Sequence, residues 1–148
     1  EIQLKFMKES NAEFSYTGYE IITDSGKNIG YRKAENILDF EKLMRSCDIG
    51  LSTVILSKNL LDNKNYEFAD LKTKEDYVLW LKLAKNQIKL FGLNKNLSYW
   101  RKSKNSLSSS TFQKLFDGYK VYRIYFNYGR LRSLVYLMIL SINYVLKS

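Results

Sequence analysis

The sequence predicts an α/β fold that ends in two amphipathic helices. Three observations predict it. Aromatic and hydroxyl side chains alternate through Phe14, Ser15, Tyr16 and Thr17, the period of a strand. Tyr77, Trp80, Leu81 and Ala84 recur at i, i+3, i+4 and i+7, the period of a helix face. The length of 148 residues, with 45% apolar and 26% charged side chains, suits one globular domain and excludes general disorder.

The elements follow in order. Ile2, Leu4, Phe6 and Met7 stand among charges in residues 1–10, which fits the end of a helix. The aromatic strand follows and closes on Ile21 and Ile22. Asp24, Ser25, Gly26 and Lys27 make a turn, because Gly26 tolerates positive φ. Residues 36–45 read as a helix with Ile37, Phe40, Leu43 and Met44 on one face. The run 47–57 is short, apolar and β-branched, which predicts a buried strand, and 59–65 is polar and loop-like. Residues 73–86 give the clearest helix, with Thr73 as N-cap and Asp76 at its third position. Two extended stretches, 87–92 and 97–102, come next. A serine-rich loop at 105–111 leads into an aromatic, basic helix over 112–128 and a last helix over 130–147. Two parts follow from this order: residues 1–111, and a basic, aromatic helical tail, 112–148.

Composition narrows the chemistry. The chain has no histidine, so it contains no histidine base, triad or metal ligand of its own. One cysteine, Cys47, makes neither an internal disulfide nor a cysteine-rich zinc site, and it fits a reducing compartment. Proton transfer falls to carboxylates, lysines or tyrosines. No secretory leader pattern and no uninterrupted apolar span of about 20 residues is evident. The net charge of +9 is concentrated: residues 95–148 carry ten basic side chains and one acid, Asp117, while the basic and acidic side chains of 1–94 cancel. That asymmetry favours an anionic partner at the C-terminal end.

Four constellations can carry chemistry, each beside a plainer reading. Glu75 and Asp76 open the clearest helix, where free N–H groups and the dipole favour a charged carboxylate. Such a carboxylate can orient a hydroxyl and take its proton; the plainer reading is a helix cap. Gly50, Ser52 and Thr53 combine close approach with hydroxyls, or form a buried strand. Arg101, in the basic and hydroxyl-rich loop from Trp100 to Ser106, suits phosphate, or the loop is solvated surface. The apolar run 133–146 covers about 21 Å as a helix, short of a membrane core. With Lys120, Arg123, Arg130 and Arg132 upstream it suits a membrane interface, or packs on protein.

Taken together, these segments resemble the C-terminal half of a bacterial family 2 glycosyltransferase with the GT-A, Rossmann-like fold. EIQLKFMKESNAEFSYTGYEII looks like the helix and strand that follow the DxD motif of that family. CDIGLSTVIL is similar to its "IG-S-T" strand, and KTKEDYVLWLKLAK to its "K-x-E-D-Y-x-L-W-L" helix. FGLNKNLSYWRKSKNSLSSS resembles the strand and loop that often reads "Y-R-x-H-x-x-S-x-S". The match covers about residues 1–110.

The resemblance implies inverting transfer of a sugar from a nucleotide-sugar donor to a hydroxyl of a glycan or lipid-linked acceptor, in surface polysaccharide synthesis. It assigns Asp76 as base with Glu75 as its partner or substitute, and Ser52, Thr53 and Trp80 to the acceptor-side pocket. Arg101 and Ser106 fall near the donor phosphates. A divalent metal, Mg or Mn, is expected in the full-length enzyme, with none held by this chain alone. The nucleotide-binding half and its DxD are absent, so the chain alone is expected to be inactive. Ser103 stands where many relatives have histidine. The tail fits a peripheral, cytoplasmic position on the anionic inner face of the cell membrane. Two readings without catalysis compete: a nucleic-acid-binding module, opposed by the lack of any such motif, and a homo-oligomer interface built by the last two helices.

Overall fold

A computed structural model describes residues 1–103 and 110–147 of the chain. Helix α1 (Ile2–Ser10) leads into strand β1 (Phe14–Ile22), the axis of a mixed sheet. On one edge β1 pairs in parallel with β5 (Leu90–Arg101), from Ser15 opposite Phe91 to Ile22 opposite Arg101. On its other edge it pairs antiparallel with β2 (Asn28–Arg32) and, near its start, with β4 (Ile55–Leu56). The short β3 (Ile37–Leu38) adds antiparallel to β5. The alternation read in β1 marks a strand whose first five residues are all buried, because neighbours cover both faces. Gly92 permits the close lead-in to β3: a Cβ there would stand 1.9 Å from the Glu35 carbonyl oxygen.

Several boundaries differ from the sequence expectation. The helix expected over 36–45 is β3 followed by α2 (Phe40–Arg45). Asp39 starts α2 by accepting from the Lys42 N–H at 2.8 Å, which leaves Ile37 in the sheet. The strand expected over 47–57 is an irregular segment, a 3₁₀ turn (Leu51–Thr53) and the two-residue β4. The expected loop 59–65 is overlapped by α3 (Lys58–Leu61), capped by Ser57. The two extended stretches are one strand, β5, twelve residues long.

Helix α4 (Glu75–Lys85) buries Tyr77, Val78, Leu79, Trp80, Leu81 and Leu83, far more than one face. It is covered on two sides. Trp80 meets Phe14 of the sheet edge-on, with ring centroids 5.1 Å apart. Tyr77 faces the C-terminal helices and α2: its hydroxyl donates to the Leu43 carbonyl and lies 3.2 Å from the Tyr122 hydroxyl. Tyr122 in turn donates to the Met44 carbonyl at 2.9 Å. Two buried phenols thus satisfy carbonyls at the end of α2 and tie three segments together.

The segment expected as one helix over 112–128 is α5 (Thr111–Lys120), capped by Ser110, continued by a π-helical turn (Val121–Tyr125). Helix α6 (Arg130–Leu146) returns across it. Val121, Tyr122, Phe126 and Leu140 share one core with Phe14, Trp80 and Leu90, so residues on both sides of position 111 belong to a single packed unit. Among the described residues no helix is long and apolar enough to cross a membrane.

Replacing Tyr122 with Phe keeps the ring and removes the donor to the Met44 carbonyl. We expect a loss of about 1–3 kcal/mol in urea unfolding. An unchanged midpoint would show that the phenol contributes only its ring.

Candidate active site

A cleft of about 670 Å³ opens where β1, β5, the segment after α2 and the start of α4 meet. The parallel register places Tyr19 beside Ser98 and Ile21 beside Trp100, so Tyr19 and Trp100 share a face of the sheet. Both aromatics line the cleft, with Trp100 39% exposed. Ile49, Gly50, Leu51 and Ser52 also line it, as do Thr73, Lys74, Glu75 and Asp76 at the start of α4. Gly50 matters here because a Cβ would lie 3.0 Å from the Tyr19 ring, tight enough that the ring would have to give.

The acidic pair is set by an unusual helix start. Thr73, expected as the N-cap, is not one. Lys74 holds that position with left-handed backbone, φ 70°. Thr73 turns away and gives both its N–H and its hydroxyl to Asp117 Oδ2 of α5, at 3.0 and 2.9 Å. Asp76 therefore lies in the first turn of α4, and its Oδ1 accepts from the Tyr77 N–H at 2.7 Å. Burial raises the Asp76 carboxyl above the usual carboxylate range. The Tyr77 N–H opposes that shift, Glu75 adds to it and Lys74 opposes it. Asp117 is shifted the other way. Burial would raise it, but hydrogen bonds from Gln113 and Thr73 outweigh burial and hold it low.

Two carboxylates, two aromatic rings and a hydroxyl around one opening can bind a polyhydroxyl compound and take a proton from it. Comparison with known proteins points the same way. No protein-family profile matches the chain. It is 35% identical over 116 residues, 78% of its length, to the UDP-Glc:alpha-D-GlcNAc-diphosphoundecaprenol beta-1,3-glucosyltransferase WfgD of Escherichia coli. It is 31% identical over 113 residues, 76% of its length, to the E. coli enzyme WfaP, which carries the same description. It is 28% identical over 124 residues, 83% of its length, to the putative teichuronic acid biosynthesis glycosyltransferase TuaG of Bacillus subtilis. The chain belongs with these bacterial glycosyltransferases. It spans about half the length of the relatives it matches, from 43% to 48%.

The expected site residues divide. Asp76, Glu75 and Ser52 line the cleft together. Thr53 does not: it is buried, and its hydroxyl donates to the Gly50 carbonyl at 2.7 Å, which holds the turn that presents Ser52. Trp80 is corrected from pocket to core. It is 0% exposed and packs between Phe14 and Phe68. Arg101 is not at the cleft either; its Nη1 donates to the carbonyls of Thr23 and Asp24 at 3.2 and 2.8 Å and pins the β1–β2 turn. Ser106 lies outside the described residues. Tyr19, Trp100, Lys72 and Lys74 were not foreseen as lining residues. For Trp100 the signal was its place beside the basic loop, while Tyr19 had none beyond the strand period. Cys47 adds no nucleophile, since burial pushes its thiol up to about 12.

Among the described residues no three His, Cys, Asp or Glu side chains come together as a metal cage.

The pKa directions carry opposite consequences for stability. A raised Asp76 means that its charged form is disfavoured by folding, so its contribution improves as pH falls through the raised value. The lowered Asp117 stabilises above its unfolded value, and that contribution is lost as pH falls through its folded value. In a carboxyl NMR titration Asp76 should titrate above, and Asp117 below, the ordinary aspartate midpoint. The reverse order would contradict the site geometry.

Proposed function

We propose that the chain is the acceptor-side, C-terminal half of an inverting family 2 glycosyltransferase of the GT-A type, serving surface polysaccharide synthesis. The observation that carries this reading is the meeting of Glu75 and Asp76 with Tyr19, Trp100 and Ser52 around one cleft, in a chain similar to named glycosyltransferases. The donor is a nucleotide sugar and the acceptor a glycan or lipid-linked saccharide. This matches the diphosphoundecaprenol acceptor that the E. coli relatives' names describe.

Asp76 is the base. Its Oδ1 is oriented by the Tyr77 N–H, and Oδ2 takes the proton of the acceptor hydroxyl. The acceptor oxygen then forms its bond to the anomeric carbon from the face opposite the nucleoside diphosphate. The old carbon–oxygen bond breaks, and its electron pair leaves with the diphosphate. A carboxyl raised by burial holds a proton more firmly than an ordinary aspartate, which favours this transfer once it is ionised. Glu75 supports the shift by its charge. Tyr19 and Trp100 offer apolar faces to a sugar ring, and Ser52 a hydroxyl to its edge. A divalent cation supplies compensation for the departing diphosphate when bound. In this reading its ligands lie in the donor-binding half. Arg101, engaged with the β1–β2 turn, has no donor role here.

The anionic partner is a membrane surface. Leu131, Val135, Met138, Ile142 and Val145 repeat at helical spacing along α6 and are each at least half exposed. Arg130 and Arg132 stand at the start of that stripe. An apolar stripe with cations at its end suits the headgroup boundary of an anionic bilayer, where each basic residue contributes about 1 kcal/mol. The reading places the enzyme peripherally at the cytoplasmic face.

Two outcomes test these proposals. In an enzyme assembled from this chain and the donor-binding half of a relative, Asp76→Asn should lower turnover about 10²–10⁴-fold with an unchanged unfolding midpoint. Turnover equal to the parent would remove Asp76 as base. On vesicles containing anionic lipid, the double substitution Leu131→Glu, Val135→Glu should abolish flotation without unfolding the chain, because both side chains are outside the core. Equal flotation of both forms would rule out this face as the anchor.

A further inference from the structure

We infer that Asp117 is a positioning residue for the acidic pair: from α5 it holds the Thr73–Lys74 turn that aims Glu75 and Asp76 into the cleft. This rests on the reading of that cleft as the reaction site. Asp117 is the one acid among residues 95–148, in the most basic part of the chain. It is 1% exposed, and among the described residues no cation stands at salt-bridge distance from it. Its Oδ2 instead collects three donors: the Thr73 N–H, the Thr73 hydroxyl and Gln113 Nε2, the last at 2.9 Å.

A buried carboxylate is costly unless its oxygens are satisfied. This one is satisfied largely by a residue 44 positions earlier. Thr73 is the last residue before Lys74, whose left-handed backbone turns the chain into α4. A non-glycine residue persists in that conformation when its surroundings hold it there. Thr73 is fixed on one side of Lys74, and the buried ring of Tyr77 lies 5.5 Å from Lys74 Nζ on the other. The direction in which the first turn of α4 leaves the cleft is thereby set from α5. Gln113, one turn before Asp117 on the same helix, steadies the carboxylate.

The test uses the chain as it stands and needs neither donor nor acceptor. The Asp76 carboxyl is titrated by NMR in the parent and in Asp117→Ala, Thr73→Val and Thr73→Ser, with urea unfolding as the control for stability. Loosening the turn lets water reach Asp76. Its midpoint should therefore fall by roughly half a pH unit or more in Asp117→Ala and by less in Thr73→Val. Thr73→Ser, which keeps the hydroxyl, should restore the parent value. An Asp76 midpoint unchanged in Thr73→Val and in folded Asp117→Ala would overturn the inference, even with lower global stability, because it would make Asp117 a packing residue only. Should Asp117→Ala not fold, the Val and Ser pair decides alone. Asp76 as base is judged by turnover and can fail independently of this titration.

Discussion

Helix α4 is held between two layers, and nearly everything else in the molecule depends on that arrangement. Its sheet side meets Phe14 through Trp80, and its far side meets α2 and the π-helical turn through Tyr77 and Tyr122. A helix buried on both sides cannot rotate or slide without breaking one contact surface. Its first turn is consequently a fixed point, and that turn carries the two carboxylates of the cleft. The C-terminal helices are part of this clamp, since Val121, Tyr122 and Leu140 complete the same core.

The cleft is built from distant stretches of chain, each supplying one property. The parallel pairing of β1 with β5 brings two aromatic rings to one face. The turn stapled by Thr53 presents Ser52, and the start of α4 supplies charge. Partial burial shifts Asp76 toward stronger basicity, while the helix start keeps it hydrogen-bonded. One opening thus combines apolar lining with a few convergent polar groups.

Much of this was legible in the sequence where the signal is local. The period of Phe14 to Thr17 marked the central strand, and the spacing of Tyr77 to Ala84 marked α4. The acidic pair was visible as a helix start. Trp80 was misplaced because a tryptophan on an apolar stripe gives one signal for core and pocket alike. Tyr19 and Trp100, the aromatics at the cleft, owe their shared face to strand register, which no local pattern encodes. Arg101 looked like a phosphate ligand, yet its partners are carbonyls 77 and 78 residues earlier. Thr73 matched a capping pattern, but a buried carboxylate on α5 takes its donors. In each case a long-range contact outcompeted a local preference.

The left-handed backbone at Lys74 restricts which residues the position tolerates. Glycine and asparagine enter that region readily, long unbranched side chains with some strain, and β-branched ones rarely. Drift toward valine, isoleucine or threonine would straighten the bend and swing both carboxylates off target, however well the charge lost with the lysine were replaced nearby. Variation among descendants of this gene should therefore be filtered at position 74 by shape before it is filtered by charge.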